Sequence, residues 1–342
     1  DQARVDKGVG YVHAEVDKLL QKGRISPDAA NRTRALVTGS VSKEAFANAD
    51  FVIEAVFEEL NVKKQVFKEV EAIVSAECIL ATNTSSLSVT AMAEDLEHPE
   101  RLVGFHFFNP VAVMPLLEIV RAPKTDDAVL ATAFELAKGL KKSAVLVKDA
   151  PAFVVNRILL RLMGEVTAAF DEGTPAGVAD NALRPMGLPM TPFVLGAMVG
   201  LPVAQHVQES LHAAFPDRFT VSQNLQKLID NGVTSIWDPA SVQAGKPVIP
   251  AGTLALMSFG NTPSTGEEVL RRTQDALAEE IGLMLAEGVV AGPEDIDLCM
   301  ILGARWPMFL GGITPYLDRV GASERVNGRK FLAPGVASEP AA

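Results

Sequence analysis

At 342 residues the chain is too long for one small hydrophobic core and long enough for two or three domains. Its 48% hydrophobic and 21% charged residues are those of a soluble, well-cored protein, and no run approaches the roughly 18 to 20 uninterrupted apolar residues of a membrane span. A net charge of -11 argues against nonspecific nucleic-acid binding, because no basic excess exists to neutralise phosphates, yet it leaves room for a small anionic ligand in a local pocket.

Residues 5–23 carry Val9, Val12, Val16, Leu19 and Leu20 at helical spacing, which predicts an amphipathic helix facing a core and stopping at Gly23. Residues 36–38 and 51–56 read as short strands, the second apolar except for Glu54, with a Ser-capped helix over 42–49 between them. A helix over 62–76 shows Val62, Val66, Phe67, Val70 and Ile73 on one face, and a strand follows over 78–82. Alternation of this kind predicts a parallel, doubly wound α/β sheet, in which ligands sit beyond the carboxyl ends of the strands. Glu58 and residues 83–85 therefore point at a site. Cys78 and Cys299 lie far apart in apolar runs, which is neither a disulfide framework nor a metal-ligand pattern, and fits buried thiols in a reducing compartment such as the cytoplasm.

Residues 104–120 place one His, one Asn and one Glu in an otherwise apolar stretch. A buried imidazole or carboxylate without a partner costs on the order of several kcal/mol, so His106 and Glu118 are expected to satisfy each other from two strands joined by a Pro-bounded bend over 109–115. An imidazole held by a carboxylate is a general base for neutral pH. One more strand is expected over 143–148, and from Phe153 helices dominate. The series Glu165, Glu172-Gly173, Asp180, Gly187 to Met190 recurs as Glu280, Glu287-Gly288, Asp297, Gly303 to Met308 at nearly equal offsets, which predicts a duplicated all-α domain. Residues 232–266 read as a long connecting loop, and 333–342 as a fraying tail.

The run Gly-Phe-His-Phe-Phe-Asn-Pro at residues 104–110, with Ala-Thr-Asn-Thr-Ser-Ser-Leu at 81–87 and Pro-Ala-Phe-Val-Val-Asn-Arg at 151–157, resembles the L-3-hydroxyacyl-CoA dehydrogenases, most closely the dehydrogenase part of multifunctional fatty acid β-oxidation enzymes. The resemblance implies a Rossmann-like NAD-binding domain over 1–150, incomplete at its N-terminus, then helical domains over 151–262 and 263–342. It implies His106 as the base for the 3-hydroxyl, Glu118 as its holder, and Ser85 and Asn156 as partners of the substrate's hydroxyl and thioester region. Glu58, Lys63, Asn83 and Asn109 are implied on the cofactor side. No strand and Gly-x-Gly-x-x-Gly turn precedes the first helix, and Gly8 and Gly10 lie within a helical pattern, so by the resemblance that part of the family's fold lies before Asp1.

The expected function is NAD-dependent oxidation of L-3-hydroxyacyl-CoA, in a longer protein with a hydratase domain upstream. As partners the resemblance implies a second copy in a homodimer or a thiolase in a β-oxidation complex. Two rivals stand beside it: a non-catalytic acyl-CoA-binding or scaffold subunit lacking the dinucleotide loop, and a dehydrogenase of small hydroxy acids. Ala152 stands where the family has Gly, and Thr191 interrupts its usual Pro-Met-Gly-Pro, which bears on acyl-chain fit rather than on the chemistry.

Overall fold

In the computed structural model, which describes residues 1–336, helices α1 (Gln2–Gln21) and α2 (Pro27–Ala35) come first, followed by β1 (Phe51–Glu54), α3 (Leu60–Glu71), β2 (Ile79–Thr82), α4 (Val89–Ala93), β3 (Leu102–Phe107), β4 (Leu116–Arg121), α5 (Asp127–Gly139) and β5 (Ser143–Lys148). The strands form one sheet in the order β1-β2-β3-β4-β5. β1, β2 and β3 run parallel, β4 turns antiparallel to β3, and β5 runs parallel to β4. The carboxyl ends of β1 to β3 and the start of β4 therefore share one edge, where a ligand site in such a sheet belongs.

Period-two alternation divides the side chains between two cores. Phe105, Leu117 and Ile119 pack against Val129, Leu130, Ala133 and Ala137 of α5 on one face. Leu116 and Val120 join Phe67, Val70 and Met92 of α3 and α4 on the other, and this larger core continues into the helices that follow. Those are α6 (Val155–Asp171), α7 (Ala176–Asn181), α8 (Pro192–Val199), α9 (Leu201–Ala214), α10 (Gln223–Asp230), α11 (Pro239–Gln243), α12 (Ala251–Ala255), α13 (Gly266–Ala286), α14 (Pro293–Ala304), α15 (Ile313–Arg319) and α16 (Ala322–Asn327).

Three expectations change. Residues 36–38 form no strand: Ser26 caps α2 by accepting from Ala29 N, Pro27 sets its first turn, and the helix runs to Ala35, leaving Leu36 84% exposed. α1 forms as expected but buries only Val16, with Tyr11 and Leu19 facing out, so it lies on the surface. The stretch 232–266 holds two short helices, α11 and α12, rather than loop alone, because Asp238 caps the first through Ser241 N and proline opens it. The tail expected over 333–342 falls partly outside the described residues, which end at Val336.

Candidate active site

Antiparallel pairing of β3 with β4 sets His106 directly opposite Glu118, and residues directly opposite share a face of the sheet. His106 Nδ1 lies 2.7 Å from Glu118 Oε2, with the imidazole 4% exposed and the carboxylate buried. The other carboxylate oxygen, Oε1, accepts from Val154 N at 3.3 Å and Val155 N at 3.1 Å. These amides open α6, where unpaired N–H groups and the helix dipole favour a negative charge. Ala152 and Phe153, both at positive φ (57° and 53°), turn the chain sharply enough to aim them. Phe108 and Phe153 flank the imidazole at 4.4 and 5.7 Å between ring centroids. Among the described residues Nε2 has no hydrogen-bond partner, so a proton-accepting nitrogen is left available on a ring whose other nitrogen is fixed.

The next residue but one after Val154 is Asn156, whose Nδ2 donates to Ser85 O at 3.2 Å. Ser85 sits in the turn after β2, and that turn is tied down by Glu58. One Glu58 oxygen accepts from the Thr84 hydroxyl at 2.7 Å, from Ser85 N at 2.8 Å and from Ser86 N at 3.2 Å. Burial alone would raise the Glu58 carboxyl, but the Thr84 hydroxyl, the Ser85 N–H and the Lys63 ammonium outweigh it and hold the group below the usual carboxylate range. Lys63, expected on the cofactor side, is 1% exposed and enclosed between Glu54 Oε1 at 2.7 Å and Glu58 Oε2 at 3.2 Å. Its position suits holding Glu58 rather than reaching a ligand.

Asn83 bridges the strand ends, its Oδ1 accepting from Phe107 N at 2.9 Å beside His106. His106 is thus joined to Glu118, Asn156 to the Ser85 backbone, Ser85 to Glu58 and Glu58 to Lys63, while Asn83 is tied to Phe107 N at the same edge. Asn109 stands apart, exposed in the bend after β3. The sequence gives no local signal of the Val154 and Val155 amides on Glu118 or of the two phenylalanines that flank the imidazole. Only Glu54, an acid inside an apolar strand with Lys63 downstream, carried a local signal of the buried ion pair.

Residues 1–150 match the 3-hydroxyacyl-CoA dehydrogenase NAD-binding domain, and residues 153–235 match the C-terminal domain of the same enzymes. The chain belongs to the 3-hydroxyacyl-CoA dehydrogenase family. (S)-3-hydroxybutyryl-CoA dehydrogenase PaaH1 from Ralstonia eutropha is 33% identical, with a TM-score of 0.64 over 68% of this chain and 83% of that one. The fold is also that of 3-hydroxybutyryl-CoA dehydrogenase from Escherichia coli K12, at TM-score 0.76 and 24% identity over 98% of this chain and 90% of the other. The fatty acid oxidation complex subunit alpha of Psychrobacter cryohalolentis is 34% identical over 333 residues, which is 93% of this chain and 46% of the relative. That of Idiomarina loihiensis is 33% identical over 329 residues, 94% and 46%. The chain spans about half the length of these relatives. At the edge of β1 to β3 the Asn83 amide, with Oδ1 engaged, keeps its N–H donors, and Glu58 Oε2 faces only Lys63 among the described residues, a donor and an acceptor of the kind the amide and hydroxyl groups of NAD require.

Proposed function

We propose that this chain carries the dehydrogenase step of fatty acid β-oxidation, the NAD-dependent oxidation of L-3-hydroxyacyl-CoA to 3-oxoacyl-CoA. One observation carries the reading: the imidazole has Nδ1 held at 2.7 Å by a buried carboxylate and Nε2 unpartnered. Glu118 fixes the tautomer that keeps a proton on Nδ1 and stabilises the imidazolium once Nε2 is protonated. As the electron pair of the substrate's C3–H bond leaves as hydride, the hydroxyl proton passes to Nε2 and the C3–O bond becomes a carbonyl. NAD, when bound, supplies the hydride acceptor. Ser85 and Asn156 orient the hydroxyl and thioester, Glu58 and Asn83 hold the nicotinamide ribose side, Lys63 positions Glu58, and Asn109 approaches both ligands from its bend.

Residues 1–150 are then the nucleotide half, and 151–262 and 263–342 two copies of one helical domain. For the whole protein we infer a longer chain with a hydratase portion, assembled with a thiolase in an oxidation complex or as a homodimer. The relatives' names, which specify a complex subunit, support this. The test follows NADH formation by the full-length protein with 3-hydroxybutyryl-CoA. His106→Ala should lower kcat by about 10²- to 10⁴-fold with substrate binding largely kept, and unimpaired turnover in that variant would remove the mechanism.

A further inference from the structure

Helix α6 carries Asn156 at its amino end, and Leu160, Met163, Gly164, Thr167 and Asp171 follow on the same face at helical spacing. Part of that face stays open. Between it, α9 and residues 220–225 and 260–262 runs a cavity of about 370 Å³, within the size range of small-molecule sites. Its lining begins at Leu160, one turn beyond Asn156, and the helical rise carries it to Asp171, about 16 Å farther along the axis.

The two ends differ in chemistry. Nearest Asn156 the wall is Leu160, Met163 and Gly164, faced across the cavity by Gln208, whose Nε2 donates to Thr220 O at 2.8 Å. At the far end Gln205 Nε2 donates to Ser222 O at 3.4 Å, and Ser222 and Asn224 in turn bond Asp171, Asn224 at 2.7 Å. Gln205 is 4% exposed, and its Oε1 has no hydrogen-bond partner among the described residues. A buried carbonyl oxygen without a donor is unfavourable unless something bound supplies one. Among the described residues the charged groups lining the cavity are Asp171 and Glu172, both acidic, so an anionic terminus is repelled. Burial, opposed by the Ser222 and Asn224 bonds, moves the Asp171 carboxyl up, which accords with a site for neutral groups.

We propose that this cavity receives the distal part of the substrate's acyl chain, and that its far end favours a chain bearing an uncharged hydroxyl over a plain alkyl or carboxylate terminus. This rests on the reading of His106 and Asn156 as the reacting site and adds where the chain goes. Thioester and tail leave C3 in opposite directions, and the tail needs an apolar path. The face of α6 beyond Asn156 supplies one, ending at an oxygen that lacks a donor.

The test compares L-3-hydroxybutyryl-CoA, L-3-hydroxyhexadecanoyl-CoA and the latter's terminally hydroxylated analogue as substrates of the full-length protein. A Cβ at Gly164 meets only the amide end of the Gln208 side chain, at 3.2 Å, and no backbone atom, so Gly164→Leu projects into the cavity against a side chain that must shift. It should cut kcat/KM for the hexadecanoyl ester about tenfold or more and leave the butyryl ester within about twofold. Gln205→Leu should abolish an about tenfold preference for the hydroxylated chain over the plain one. Equal effects of Gly164→Leu on short and long esters would overturn the tail assignment, and equal turnover of plain and hydroxylated chains by the unaltered protein would overturn the terminus preference. Calorimetry with butyryl-CoA and hexadecanoyl-CoA separates this from the reaction: a loss of binding in Gly164→Leu confined to the long ester supports the cavity even if no ester is oxidised, and in that case only the proposed reaction falls.

Discussion

Glu118 holds the imidazole with one oxygen and two backbone amides with the other, and the division makes a sharp expectation. In Glu118→Gln the amide oxygen can still accept from Val154 and Val155, which leaves the amide nitrogen facing His106 Nδ1. A donor in that place forces Nδ1 to be the acceptor and moves the ring proton to Nε2, where the substrate's proton must arrive. Turnover should therefore fall about 10²- to 10⁴-fold while KM changes little, because nothing that touches the ligand has moved. Steady-state kinetics of the full-length variant decide it: a fall of less than about tenfold would mean that the carboxylate does not set the tautomer. The dyad was legible in the sequence because two acid–base residues in an apolar run must be paired, and a bend between two short strands sets them opposite. The enclosure of Lys63 was not legible, because its pairing with Glu54 and Glu58 depends on contacts between β1 and α3 that helical spacing does not reveal.

At the scale of elements, the repeat visible in the sequence has a counterpart in geometry that supports the duplication. Asp180 accepts from the Thr191 hydroxyl and Phe193 N at the start of α8, each at 2.8 Å. Asp297 accepts from the Thr314 hydroxyl at 2.6 Å and Thr314 N at 2.8 Å at the start of α15. Both carboxyls are shifted upward chiefly by burial, Asp297 to about 6 from an ordinary 3.8, with Asp318 adding repulsion and the Thr314 bonds opposing. Between those two values the native state keeps a proton that the unfolded chain has released. The Asp297 contribution is thus fully present below about pH 4 and is lost as pH climbs through about 6, on the order of 3 kcal/mol at most. Asp297→Asn keeps an acceptor for Thr314 N and removes the ionisation. Urea unfolding should find it close to the unaltered protein at pH 4.5 and more stable at pH 7.5, by about 1–3 kcal/mol. A constant difference across that window would exclude Asp297 as its source. The capping acids were recognisable as a repeated spacing, whereas their role at helix starts was not, because Thr191 and Thr314 lie at different distances from them along the chain.

For the molecule as a whole, α6 and α13 pack together through reciprocal ion pairs. Arg157 Nε bonds Glu280 at 2.5 Å and its Nη2 lies 2.9 Å from Glu287, while Arg272, at the corresponding place in the repeated spacing, pairs with Glu165 and Glu172. The pairs are related as if by a two-fold axis, but their surroundings are not. Arg157 and Glu280 are fully buried, with Phe215 stacked 4.5 Å from the guanidinium, whereas the Arg272 side chain is 35% exposed. Removing one partner of a buried pair strands the other, so Glu280→Gln should cost about 3–5 kcal/mol in thermal or urea unfolding, and Glu165→Gln about 1 kcal/mol. Equal losses would show that burial does not govern the pair.

Helix α14 also reaches the chemistry, a relation that no local pattern in the sequence discloses because it joins residues more than a hundred apart. Helix α14 lies against β4 and the start of α6, the two elements that hold Glu118. At Gly303 it comes so close that a Cβ would stand 2.6 Å from Leu116 Cδ2, 2.9 Å from Val155 Cγ2 and 3.5 Å from the Phe108 ring that flanks His106. These are packed side chains rather than free ends, so a methyl group there must move β4, α6 or Phe108, and overpacking of this kind costs about 1–3 kcal/mol. Because Val155 N and Glu118 are bonded, the displacement reaches the dyad, and a misplacement of the order of 1 Å in a reacting group costs about 10²-fold. Gly303→Ala in the full-length protein should therefore lower both kcat and unfolding stability while KM for NAD stays put. Stability lost without any fall in kcat would confine α14 to a packing role.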